Sequence, residues 1–135
     1  MNPFTTVNPP VLGRPVGFSH GMLAPAGSRL LFVAGQTAAD AEGRIADTSF
    51  APQFEAALTH VLTVVATAGG RAEHVARMTI YVTDMDAYLE SRPTLGEIWT
   101  RLMDRHYPAM ALVGVTRLVN AEATVEIEAT AVIPS

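Results

Sequence analysis

Two carboxylates two residues apart, Glu126 and Glu128 in Thr124-Val125-Glu126-Ile127-Glu128-Ala129, are the first candidates for chemistry in this chain. A strand over this stretch puts Thr124, Glu126, Glu128 and Thr130 on one face and Val125, Ile127, Ala129 and Ala131 on the other. Like charges at that spacing repel unless water, a cation or a hydrogen-bond donor separates them. The spacing by itself therefore reads as a solvated polar face, the usual fate of charges on strands.

Other reactive residue types form no pattern. His60 falls in a helical segment, His74 precedes a strand, and His20 and His106 lie near loops, with no pair at the spacing of a common zinc motif. His106 stands beside Tyr107-Pro108-Ala109-Met110, where proton transfer is conceivable and local hydrogen bonding is the simpler reading. Ser19 and His20 are neighbours on an extended segment, so their side chains diverge and make no nucleophile–base pair. Gly69-Gly70 has no lysine and no strand–loop–helix setting, so it reads as a helix stop and not a phosphate loop. The sequence has no cysteine, which excludes disulfides, thiolate metal sites and a cysteine nucleophile. No metal or cofactor is predicted.

Bulk properties narrow the class. The 135 residues suffice for one domain, about half of them are apolar, and only 16% are charged. So low a charge fraction fits a subunit that hides surface against copies of itself. A net charge of −4 with scattered arginines and no lysine-rich tract gives no concentrated basic surface for nucleic acid. Met1-Asn2-Pro3-Phe4 lacks the basic-then-apolar pattern of a secretory signal, and no apolar run approaches the roughly 20 residues that span a bilayer. The expectation is a cytoplasmic protein.

The elements that must position these residues follow from periodicity. Residues 1–16 carry four prolines and read as an extended lead-in. A first strand is expected over Phe18 to Leu23, then turn chemistry at Pro25-Ala26-Gly27-Ser28. Leu30 to Ala34 is an apolar run that resembles a strand covered on both faces. Glu42-Gly43 offers a turn, and Arg44-Ile45 begins a brief pairing segment. Phe50, Phe54, Leu58, Val61, Val65 and Ala68 recur at helical spacing, with Ser49 as cap, Pro52 in the first turn and Gly69-Gly70 at the end. Val75 to Val82 favours a strand, which Asp84-Met85-Asp86 breaks. A second helix runs to about Met103, with Leu95, Ile98, Trp99, Leu102 and Met103 as its buried stripe. Pro93 lies near its start or bends it, and Gly96 weakens it by roughly 1 kcal/mol relative to alanine. Strands at about 110–117 and 123–133 finish the chain. The order predicts an α+β fold: one sheet with helices on one face, the other face covered by self-association.

Taken together, Ala34-Gly35-Gln36, Val82-Thr83-Asp84, Pro108-Ala109-Met110 and Val125-Glu126-Ile127-Glu128 resemble the Rid (RidA/YjgF-like) family, over nearly the whole chain from Phe18 onward. The resemblance implies a chorismate-mutase-like single sheet with two helices on one face, and a homotrimer with clefts between subunits. Many members hydrolyse reactive enamines and imines. In the deaminating members an arginine follows the Pro-Ala pair and grips the substrate carboxylate; here that place holds Met110. An arginine fork makes two charge-assisted bonds of roughly 1.5–3 kcal/mol each, so its loss would weaken anchoring of an imino acid by hundreds-fold or more. Methionine offers a flexible apolar wall. The family's N-terminal aromatic hydroxyl corresponds best to Phe18, and its Ser-Gly-Gln is here Ala34-Gly35-Gln36. All three changes point to a more apolar cleft.

By the same resemblance Glu126 is the glutamate placed at the cleft to position water or exchange protons. Arg92, just before Pro93, falls near a cleft position where relatives carry asparagine, so its guanidinium is a candidate replacement anchor. Backbone N–H groups near Ala111 and Leu112 offer a small anion or carbonyl site. The expected ligand-binding residues are Phe18, Ala34, Gly35, Arg92, Met110, Ala111, Leu112 and Glu126. The expected partners are copies of this chain and a small carbonyl- or imine-containing metabolite. An active imine or enamine deaminase and an RNA-directed or regulatory protein are the alternatives.

Overall fold

The computed structural model describes residues 2–135. Its elements run β1 (Thr5–Val7), β2 (Gly21–Leu23), β3 (Arg29–Gln36), α1 (Phe50–Thr67), β4 (Val75–Val82), α2 (Met85–Met103), β5 (Ala109–Gly114) and β6 (Val125–Ile133), with 3-10 turns at Pro10–Leu12 and Ala72–His74. The main sheet has the order β3-β6-β4-β5, in which β4 and β5 are parallel and the other pairs antiparallel. The α2 helix supplies the β4–β5 crossover that a parallel pair requires. With both helices on one face of this sheet, the chain has the expected α+β, chorismate-mutase-like architecture.

Each helix forms for the reason its spacing gives. Phe50, Phe54, Leu58, Val61 and Val65 of α1 are all buried against the sheet, and Gly69 ends the helix at φ +87°. Ser49 has cap geometry but makes no side-chain cap bond. Asp84, the residue that breaks β4, also caps α2 by accepting from the Ala87 N–H at 3.1 Å. Helix α2 therefore starts at Met85, and Pro93 lies in its middle. Leu95, Ile98, Trp99 and Met103 are buried, while Leu102 is half-buried.

Three expectations need correction. The lead-in is more than an extended tail: Thr5–Val7 pairs antiparallel with β2, and Ser19 bridges Ala109, so the first strand is shorter than Phe18–Leu23. Arg44-Ile45 forms no strand, because its backbone is held in a turn where Asp40 accepts from the Glu42 and Arg44 N–H groups. The third concerns β3, which the single chain covers on one face alone: Leu30 and Phe32 are 60% and 75% exposed. Among the described residues no helix is long and apolar enough to cross a membrane.

Candidate ligand site

The open sheet face collects the polar side chains of β6 and β4. Cross-strand register pairs Glu126 with Tyr81 and Glu128 with Thr79. The Tyr81 hydroxyl donates to Glu128 Oε2 at 2.7 Å, which supplies the donor that two neighbouring carboxylates need. That bond, more than any other influence, holds the Tyr81 phenol above its ordinary pKa. Glu126 lies over Gly35 so closely that a Cβ there would collide with its carboxylate. Gly35 sits in the bulge where the β3–β6 register shifts between Val33 and Gln36. Glycine is required for this close approach, not for an unusual φ.

On the other side of the sheet, between β5 and α2, is a cavity of about 430 Å³. Ile80 of β4 and Met110 and Leu112 of β5 form its floor, and Tyr88, Leu95 and Trp99 of α2 form its wall. Trp99 contributes an apolar ring, since its indole N–H is already donated to the His106 carbonyl at 3.1 Å. The ring of Tyr107, which also lines the cavity, stacks on Trp99 at 6.1 Å. Arg92 reaches the rim, and no aspartate or glutamate lines the space.

The residues predicted for one cleft thus divide into two groups. Arg92, Met110 and Leu112 meet at the helix-side cavity. Glu126, Gly35 and Ala111 belong to the open face, and Ala34 is exposed beside the bulge. The reason is strand periodicity: Met110 pairs with Met78 and Glu126 with Tyr81, and residues three apart on β4 point to opposite faces. Phe18 lines neither place; it packs edge-to-face on His20 at 5.2 Å, and Val16 and Gly17 reach the cavity instead.

The family model described as Endoribonuclease L-PSP matches residues 14–133. The chain belongs to this family. Among solved structures, YyfB of Yersinia pestis, a Rid family protein of unknown function, is 28% identical with a TM-score of 0.82 over 98% of this chain and 100% of that one. RidA from an Antarctic Psychrobacter is 26% identical, TM-score 0.67, over 86% of this chain and 88% of its own. E. coli TdcF, solved with bound serine, is 28% identical, TM-score 0.63, over 98% and 94%. No curated protein is significantly similar in sequence.

Within this Rid fold the histidines serve the backbone. His106 is buried, with Nε2 at 2.6 Å from the Val75 carbonyl and Nδ1 at 3.1 Å from Asn2 Nδ2. Asn2 Oδ1 accepts from the Phe4 N–H at 2.8 Å, which turns its amino group toward His106. His106 Nδ1 must then accept and Nε2 donate, so the ring is neutral, and burial holds its pKa below the ordinary value. It lines no part of the apolar cavity. His60, His20 and His74 likewise bond to Thr37 O, Gly13 O and Arg71 N. All nine basic side chains are arginines, so no lysine amine is present to form a Schiff base with a carbonyl compound.

Sequence reasoning passed over Tyr88, Gly96 and Tyr107 as cavity residues. A signal existed: Tyr88, Arg92, Leu95, Gly96 and Trp99 recur at helical spacing and so share a face of α2. Its mixture of aromatic, apolar, glycine and arginine residues concealed it.

Proposed function

We propose that this Rid protein is a homotrimer that binds a small carbonyl- or imine-containing metabolite in clefts between its subunits. Any hydrolysis proceeds differently from that of relatives with arginine at the Met110 position. The observation that carries this reading is the shared cavity of Met110 and Arg92: among the described residues that line it, an apolar wall and one guanidinium meet without an acidic residue. Exposed Leu30 and Phe32 beside the polar centre of the open sheet face give self-association an apolar surface to bury. Assembly through that face lets Glu126 of a neighbouring copy complete the cleft. There its carboxylate orients water toward the carbon of a C=N bond and moves the proton as ammonia leaves.

Sedimentation analysis and a thermal-shift screen of 2-oxo acids test this reading. A trimer stabilised by such compounds, with the effect lost in Glu126→Gln, is expected. A monomer at micromolar concentration, or binding indifferent to Glu126→Gln, would count against it. Met110→Arg, assayed for hydrolysis of an imino acid generated in situ, should gain activity over the parent because the cleft regains its second anchor. The RNA-directed alternative rests on the family's description alone. It predicts salt-dependent RNA binding, which a chain of net charge −4 should not show.

A further inference from the structure

Gly96 lies inside α2, where glycine is disfavoured relative to alanine. Packing does not demand it: a Cβ built there meets nothing within 4 Å. Gly96 is exposed at the edge of the cavity, which it lines together with Tyr88, Trp99 and Leu112. A side chain at this position would shrink the cavity and leave the core untouched. At about 430 Å³ the cavity has room for a ring or a branched aliphatic group in addition to a head group.

The rim supplies the other half of the specificity. Arg92 donates Nε to the Leu89 carbonyl, which leaves its terminal nitrogens for a ligand. Among the described residues it forms no ion pair. A single guanidinium beside apolar walls matches one planar carboxylate. A second carboxylate or a polyhydroxylated body would find only the Tyr88 and Tyr107 hydroxyls, with most of its polar groups against apolar walls.

We infer that the preferred ligand is a monocarboxylate with a bulky apolar body, of the class of aromatic or branched-chain 2-oxo acids and their imines. Arg92 holds the carboxylate, and the space over Gly96 takes the apolar group. This deepens the proposed function and rests on it for the carbonyl or imine.

Titration calorimetry on the assembled protein, with phenylpyruvate, pyruvate and phenylacetone as probes, tests the inference. Phenylpyruvate should bind at least about tenfold tighter than either of the others. Arg92→Gln should weaken phenylpyruvate by about 10- to 100-fold and leave phenylacetone unchanged. Gly96→Leu, which favours the helix, should weaken phenylpyruvate and spare pyruvate. Pyruvate binding as tightly as phenylpyruvate, or no effect of Arg92→Gln, overturns the inference. If that pyruvate binding is then lost in Glu126→Gln, the proposed function stands without it. Binding of none of the three probes overturns both.

Discussion

Arg92 donates its Nε hydrogen at 3.3 Å to the carbonyl of Leu89, the acceptor that Pro93 cannot serve because its ring nitrogen carries no hydrogen. An interior proline ordinarily strands the carbonyl four residues earlier and costs a helix about 3 kcal/mol. Here the preceding side chain turns back to that carbonyl, and the same bond restrains the guanidinium at the mouth of the apolar cavity. A flaw in the helix thereby helps to position the guanidinium proposed as the ligand's anchor.

Replacing Pro93 by alanine tests that link. The new N–H should recover the Leu89 carbonyl and stabilise α2 by about 1–3 kcal/mol. Arg92 then loses its tether, and phenylpyruvate affinity should fall several-fold. Thermal unfolding and calorimetry read the two effects separately; a rise in stability with unchanged affinity would show that the tether is dispensable.

Gly35 and Glu126 should be energetically coupled. Gly35→Ala forces the carboxylate aside and should cost about 1 kcal/mol. In a Glu126→Ala background the three nearest atoms to the new methyl are gone, and the cost should largely vanish. A double-mutant cycle by chemical denaturation measures the difference; additive effects would mean that the bulge, not the carboxylate, demands glycine.

Gln53 is nearly fully buried and uses its whole amide. Its Nε2 donates to the carbonyls of Asp47 at 3.0 Å and Glu122 at 2.9 Å, and its Oε1 accepts from the Thr124 N–H at 2.8 Å. These bonds fasten α1 to the loop that launches the Glu126 strand. Gln53→Ala leaves three backbone groups unserved and should destabilise by about 3 kcal/mol or more. Gln53→Glu should retain only the bond from Thr124, and urea unfolding should rank it no better than halfway.

His106 makes stability depend on pH. Burial depresses its folded pKa below 6.5, with the Val75 carbonyl bond and then Glu73 opposing and His74 adding to that shift. Because the neutral form is the one that fits, its contribution is complete above the unfolded value and is lost as pH falls through the folded one. Protonation would also aim an Nδ1 hydrogen at the amino group of Asn2. Melting temperature should fall between pH 7 and 5, and His106→Gln should flatten that slope.

Much of the fold was legible because α1 and β4 follow period rules over long stretches, with Gly69 and Asp84 marking their ends. Strand β6 was as clear: Val125, Ile127, Ala129 and Ala131 are buried, while Glu126, Glu128 and Thr130 face outward. The lead-in was not legible, since Thr5–Val7 becomes a strand only by meeting Gly21–Leu23 fourteen or more residues later. Nor was the identity of the face each part of the β3 apolar run would occupy.

Local order in the chain decided which residues became helix and strand, and which side of β6 took its carboxylates. Side-chain periodicity is a property of neighbouring residues, so the sequence alone suffices for it. Whether Met110 shares a space with Arg92 or with Glu126 depends on the register of β4 against two different strands and on a helix laid across them. Those are contacts between distant segments, fixed by packing, and only the tertiary structure assigns the methionine to the arginine and sets the glutamate on the opposite side of the sheet.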